Sequence, residues 1–427
     1  MNNTRNLTSA DHKHNLVINS VHEMVWGFGM AFHSTFAVIP LFLKELGAPN
    51  IVIGSVAGVF TIGIAIPQIF SAFWGGQIKN LRRAVMSVHG LLLPPIVTVG
   101  FIFAFIAPTG HNAWIYYYTG YILFALALGI VFPIWADFLE SVHIREKRGA
   151  FFGVSFAFSS VGGFFGGLVL KRLLSSSSIV FPENFGIGFL VYSFCMVLAI
   201  STFLLYRLKP KSPPKDVITF SQFLTGVRGI LRKDHNFRKY IFSRILLAAN
   251  YPAISLYAVH TYEKLQFDIS EAGVFTAITV LLAGFSSYFT GKIGDRFGHK
   301  HGMVIVFIAY FGALVTALTT ETMTQAYLIF IFLGLGQGGF WTSAMSLVYE
   351  FAGENDNKIY FALIDSLTAP FVLLFIILSG LFAPIYGIPA VLTGIGIFMV
   401  MGILSLGFLT KDPKSVPAEF YPPEAMM

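Results

Sequence analysis

Four ionisable side chains interrupt the apolar stretches of this 427-residue chain: Glu23, Asp137, Arg244 and Asp365. A charge at membrane depth costs about 2.5–3.5 kcal/mol on insertion scales, so such groups face a cavity or a partner. Glu23 lies deepest, roughly 12 Å into its stretch at about 1.5 Å per helical residue. His22, Trp26 and His33 are spaced four and seven residues apart and share one helical face, with Glu23 beside it. A carboxylate next to histidines can take up and release protons as its surroundings change. The plainer reading is a structural group bonded to neighbouring helices.

Arg244, Tyr251, Ser255 and Tyr262 form a second stripe on one helical face, and Asn250 stands beside it as a further cavity candidate. Arg244 is close to the start of its stretch, where its long side chain can also reach the headgroups. Gln337 and Trp341, one turn apart, either contact a ligand or seal a helix contact. Asp137 and Asp365 sit near the ends of their stretches, where capping or interhelical pairing competes with substrate contact. The chain has neither a glycine-rich Lys-Ser/Thr phosphate loop nor a His-Glu-x-x-His zinc motif. No cofactor and no metal are expected. The single cysteine, Cys195, can form no intrachain disulfide.

These residues must be held by membrane helices. Hydrophobic residues make up 55% of the chain and charged ones 11%, against about 25% charged in a soluble domain. The apolar runs are about 20 residues long, enough to cross a hydrocarbon core ~30 Å thick. Twelve spans are predicted, near 15–45, 51–76, 84–106, 113–138, 150–173, 186–206, 239–262, 271–291, 302–320, 326–350, 359–383 and 388–410. The first is read as an uncleaved helix, too long for the apolar core of a signal peptide. A polar linker, 207–238, contains Lys209-Pro210-Lys211-Ser212-Pro213-Pro214-Lys215 and separates two six-helix groups, 1–206 and 239–410, with a tail at 411–427. With the N-terminus inside, 23 of the 28 Lys and Arg fall on the cytoplasmic side. Four (Lys44, Lys171, Arg172 and Lys264) fall opposite, and Arg244 lies within a span. This asymmetry predicts that both termini are cytoplasmic. It also accounts for the net charge of +7 without a nucleic-acid partner.

An internal repeat links the two groups. Ala57-Gly58-Val59-Phe60-Thr61 recurs as Ala272-Gly273-Val274-Phe275-Thr276, and the same offset sets Gly76 against Gly291. The second span therefore corresponds to the eighth, as in transporters built from parallel repeats. After the eighth span comes Gly291-Lys292-Ile293-Gly294-Asp295-Arg296-Phe297-Gly298-His299-Lys300, which resembles the signature loop of the major facilitator superfamily. The resemblance covers the whole chain in architecture and this loop in motif.

That resemblance implies an all-α integral membrane fold of two pseudo-symmetric six-helix bundles. It also implies a cytoplasmic latch in which Asp295 and Arg296 meet the start of the fifth span near Arg145, Arg148 and Gly149. Gly291 would bring the helix end close to a neighbour, Gly298 would make the turn, and Lys300 would follow as the basic residue. The matching first-half loop departs from the pattern, with Asn80 in place of the aspartate. The fourth span has no arginine, so the arginine motif of proton-linked drug exporters is missing. Gly162-Gly163-Phe164-Phe165-Gly166-Gly167 comes close to the antiporter motif without its proline, and close helix packing explains its glycines more simply. The expected activity is secondary transport of a small solute by alternating access, with protons as a candidate coupling ion, in a monomer embedded in the bilayer. Such a protein would sit in the inner membrane of a bacterium. The alternatives are a transporter-like receptor that binds a small molecule without moving it, and a membrane-embedded lipid-modifying enzyme.

Overall fold

A computed structural model describes residues 7–75, 78, 80–110, 112–144, 147–209, 228–353 and 357–415. Among the described residues there is no strand. The described residues form twelve helical spans in order: α1 (Ser9–Glu45), α2 (Asn50–Gly75), α3 (Leu81–Ile106), α4 (Ala113–Val142), α5 (Arg148–Leu174), α6 (Glu183–Thr202), α7 (235–265), α8 (Glu271–Phe297), α9 (His299–Leu318), α10 (Met323–Ala352), α11 (357–386) and α12 (388–404). A break at Gly387, φ +83°, divides α11 from α12. Many apolar side chains stand exposed, Phe408 at 84% and Ile106 at 72%. Lipid is the solvent that such a surface requires.

Local chemistry sets the helix ends. Thr8 and Asp11 form a reciprocal capping box, which starts α1 at Ser9 instead of the predicted residue 15. Thr322 and Gln325 do the same for α10, and the Asp234 carboxylate accepts from the Phe237 amide to start α7. Among the described residues three spans are interrupted within their length: α1, α7 and α3, the last by a turn at Leu91 and Leu92 between Gly90 and Leu93. In α1 the helix tightens at Ala31–His33 and restarts at Val38, whose amide donates to the Ser34 hydroxyl. In α7 a turn at Ala248 and Ala249 precedes Asn250 and Pro252.

The eighth span is longer than predicted. α8 runs six residues past Gly291 to Phe297, and Gly298 alone turns the chain into α9. The signature motif is therefore mostly helical. Gly298 has φ +97°, and a Cβ there would lie 1.8 Å from Asp412 Oδ2, so both conformation and space require glycine.

Contacts divide the chain into two compact units. The first comprises Met1–Pro49, Val59–Val217 and Phe267–Leu281; the second comprises Asn50–Gly58, Ile218–Gln266 and Leu282–Met427. Each unit thus takes the opening turns of one repeat helix from the other half of the sequence. In the first unit, Gly167 of α5 and Gly273 of α8 meet backbone to backbone, and a Cβ on either would lie 2.6 or 2.5 Å from the other's carbonyl oxygen. In the second, Gly58 of α2, the repeat counterpart of Gly273, leaves room for Val372 and Ile376 of α11. Each half also sends a serine to the repeat helix of the other: Ser34 Oγ lies 2.8 Å from Thr276 Oγ1 of α8, and Ser255 Oγ accepts from the Ala57 amide of α2 at 3.0 Å.

Helix α5 also packs on α1. A Cβ on Gly162 would lie 2.0 Å from Met24 O, one on Gly166 2.3 Å from Phe28 O, and one on Gly27 2.1 Å from Ser159 O. Those neighbours are backbone atoms that cannot rotate away. Gly162→Val should therefore cost at least the ~1–3 kcal/mol of ordinary overpacking, seen as lost monodisperse protein and a lowered melting temperature. Gly153→Val, with no neighbour within 4 Å, should leave both unchanged.

Candidate functional site

In the first unit the residues of the α1 stripe meet different neighbours. His22 is buried, and its Nδ1 lies 3.0 Å from Ala199 O and 2.9 Å from Thr202 Oγ1 on α6. Its ring stacks with Trp26 and packs on Phe203, while Trp26 meets His89 and Tyr192. His22 is thus satisfied by α6 packing. His33 lies at the break of α1, fully buried within a box of Tyr117, Tyr121, Phe124, Phe189 and Tyr192, with ring centroids 5.1–6.1 Å away. Both of its ring nitrogens, and the Tyr117 hydroxyl, are buried with no hydrogen-bond partner.

Glu23 points the other way. It is 5% exposed and hydrogen-bonds with Ser159 of α5, in the same tight α1–α5 seam. Tyr206, whose hydroxyl donates to Asn19 Oδ1 at 2.8 Å, lies close enough to feel its charge. The adjacent positions 22 and 23 thus serve two different helices. The sequence places them on neighbouring faces but does not say which neighbour each face meets.

The second unit holds another cluster. Arg244 of α7 donates to the Tyr240 hydroxyl at 3.2 Å and lies over the Phe340 ring of α10, 4.6 Å from its centroid. Tyr251 and Asp365 complete its electrostatic surroundings; Asp365, on α11, is exposed. Asn250 is buried and accepts from Tyr257 at 3.4 Å. On α10 it is Phe340 that meets Arg244; Gln337 is half-buried, and Trp341 is 63% exposed with its ring beside Phe340. Sequence reading missed Phe340, Tyr240 and Ser159, because a single phenylalanine or serine in an apolar span carries no local signal. The one available sign was Tyr240, a turn before Arg244 on the same face.

At the helix ends the motif residues are described only in part. Gly76 and Arg145 lie outside the described residues, as does the side chain of Arg148. Asp137 is exposed on α4. A Cβ on Gly291 would meet Thr342 at an ordinary 3.4 Å, and the glycine sits inside α8, not at its end. Asp295 is exposed and lies 3.6 Å from His299 one turn on, and its backbone carbonyl accepts from Lys414. Arg296 lies over Phe297, and Lys300 donates to Gly407 O at 2.8 Å. The C-terminal segment, through Asp412 and Lys414, therefore packs on the turn that the motif builds.

One ion pair stands where the α5–α8 glycine crossing ends. Lys171 Nζ lies 2.9 Å from Glu271 Oε1, with side chains 41% and 15% exposed. A pair this wet contributes about 1 kcal/mol or less, enough to bias a contact and too little to lock it. In the sequence Lys171 counted only toward the charge asymmetry, and Glu271 was not singled out.

Comparison with known proteins adds to this geometry. Residues 240–424 match the family model described as Major Facilitator Superfamily. "Multidrug resistance protein MdtG" of Escherichia coli (strain K12 / DH10B) is 21% identical over 342 residues, covering 78% of this chain and 79% of that protein. Among solved structures, a point mutant of the nucleoside transporter NupG superposes with a TM-score of 0.71 at 12% identity, over 94% of this chain and 100% of the other. The partially occluded, inward-open xylose transporter XylE from E. coli gives 0.66 at 13%, over 96% and 100%. At such identities the structures establish the major facilitator fold.

The Arg244–Phe340 contact can be measured by itself. A double-mutant cycle of Arg244→Ala and Phe340→Ala, read from thermal unfolding in detergent, should give a coupling of about 0.5–2 kcal/mol. A coupling near zero would show that the ring and the guanidinium are neighbours without interaction.

Proposed function

We propose that this membrane transporter is a member of the major facilitator superfamily, a reading supported by the family match over residues 240–424 and by the fold, and that it carries a small organic solute by alternating access, driven by protons through Glu23. The moving bodies of this reading are the two six-helix halves, 1–206 and 239–410, with both termini in the cytoplasm as the lysine and arginine placement indicates. The observation that carries the reading is the pair of repeat-related crossings, Gly273 on α5 and Gly58 against α11. Small residues let helices meet closely and separate again without repacking large side chains. Lys171 and Glu271 close the α5–α8 crossing on the outer side and release it on opening. Asp295 and Arg296 act at the opposite, cytoplasmic ends.

Glu23 is assigned the proton because it is a buried carboxylate bonded to a neutral hydroxyl on α5, the helix whose other face makes the crossing with α8. In this reading, opening of that crossing admits water along α5 and changes the solvation of the carboxyl group, and solvation shifts proton affinity. Arg244, with Tyr240, Tyr251 and Phe340 around it, is assigned to solute recognition: a guanidinium against ring faces suits a planar or anionic group.

Two measurements test this. In proteoliposomes screened with nucleosides, sugars and amphipathic drugs, Glu23→Gln should abolish accumulation driven by a proton gradient and leave solute exchange within about twofold of wild type. Proton-driven accumulation at the wild-type level would reject the assignment. For the crossing, Thr276→Cys in a Cys195→Ser background reports opening, since Thr276 is fully buried behind it. Lys171→Glu should raise labelling of that cysteine by impermeant maleimide about five- to tenfold, the effect of ~1 kcal/mol. Adding Glu271→Lys should restore the wild-type rate.

A further inference from the structure

Apart from the central helices, the structure has a groove of about 490 Å³ where the start of α3 meets the end of α6, lined by Asn80, Arg82, Arg83, Met86 and Leu204 among others. Two adjacent guanidinium groups border it. Arg82 is fixed by donation to Tyr206 O at 2.6 Å, and its Nε has no hydrogen-bond partner among the described residues. Arg83 is exposed. The flank is apolar and open to lipid: Leu204 is 57% exposed and its neighbour Leu205 56%. Among the described residues, no carboxylate lines the groove.

The other unit carries the same combination independently. A groove of about 230 Å³ between the start of α7 and the end of α12 is lined by Arg238 and Lys239, with Phe242 and Leu409 as its exposed apolar wall. With twelve alternating spans, both grooves open on the membrane face that carries the termini. The ligand that fits is amphipathic, with an anion at the membrane surface and hydrocarbon directly below it. A free anion has no use for the apolar wall. A zwitterionic headgroup would place its ammonium against a pair of cations.

We propose that the α3–α6 groove binds the phosphate headgroup of an anionic phospholipid, Arg82 and Arg83 holding the phosphate and Leu204 the first acyl carbons, with the α7–α12 groove as a second site of the same kind. Planar guanidinium groups grip phosphate oxygens in charge-assisted pairs, and basic pockets between membrane helices select such headgroups. The site is separate from the transport residues and stands whether or not Glu23 carries a proton.

Native mass spectrometry of the full-length protein in detergent, titrated with dioleoyl phosphatidylglycerol, tests the proposal, with dioleoyl phosphatidylcholine and inorganic phosphate as controls. Wild type should bind phosphatidylglycerol about tenfold more tightly than phosphatidylcholine, and 10 mM phosphate should leave those adducts in place. Arg82→Gln/Arg83→Gln should weaken one phosphatidylglycerol site about tenfold, Arg82→Lys/Arg83→Lys should keep most of it, and Arg238→Gln/Lys239→Gln should weaken the other. If the first double variant fails to fold, Arg83→Gln alone should still weaken the site severalfold, since that residue is exposed. Unchanged phosphatidylglycerol binding by a variant with the wild-type melting temperature would overturn the proposal. So would equal binding of phosphatidylcholine, or displacement of the lipid by inorganic phosphate, which would mark a free-anion site.

Discussion

Backbone contact between helices at glycine is the constraint from which the rest of this structure follows. Helix α5 carries glycines at 162, 163, 166 and 167, and they serve two partners. Gly162 and Gly166 seat α1, while Gly163 and Gly167 face Val280, Gly273 and Ala277 of α8. One helix therefore packs against backbone on two sides. In lipid there is no hydrophobic drive to hold helices together, so such close packing must supply the attraction. The α1 seam fixes where Glu23 can reach, and the α8 crossing brings a helix from the second half of the sequence into the first compact unit.

Polar groups then fill the few places where this packing admits them. Glu23 meets Ser159 inside one seam, His22 is occupied by α6, and Arg244 is held between a tyrosine hydroxyl and a phenylalanine face. These are three different environments for side chains that look alike in sequence, as charged or titratable interruptions of apolar runs. Serine does the parallel work in the two halves: Ser34 reaches α8 and Ser255 reaches α2. Ser34 sits at the break of α1, between His33 and Val38, whereas Ser255 lies within the regular second segment of α7.

The membrane spans were legible because a hydrocarbon core demands long apolar runs, and nearly all boundaries fall within a few residues of those read from the sequence. The end of α8 was not, since Lys292, Asp295 and Arg296 look like a loop while their backbone remains helical to Phe297. The breaks in α1 and α7 were missed for the opposite reason, as an apolar run conceals a local loss of helix. The 215-residue offset identified Gly58 and Gly273 as equivalents; in the structure Gly273 meets the backbone of α5, and Gly58 makes room for side chains of α11. Pairing between distant helices left no local trace, so Lys171 with Glu271 and Arg244 with Phe340 emerged only from the coordinates.

The central claim is that the α5–α8 crossing opens and closes during the transport cycle. Nitroxide labels at Ser175 and Asp268, both exposed and flanking the Lys171–Glu271 pair, report it by electron double resonance in proteoliposomes without knowledge of the solute. Two distance populations are predicted, a short one matching the closed crossing and a longer one whose share changes when a proton gradient is imposed. A single narrow distribution, unchanged by the gradient and by Lys171→Glu, would contradict the account.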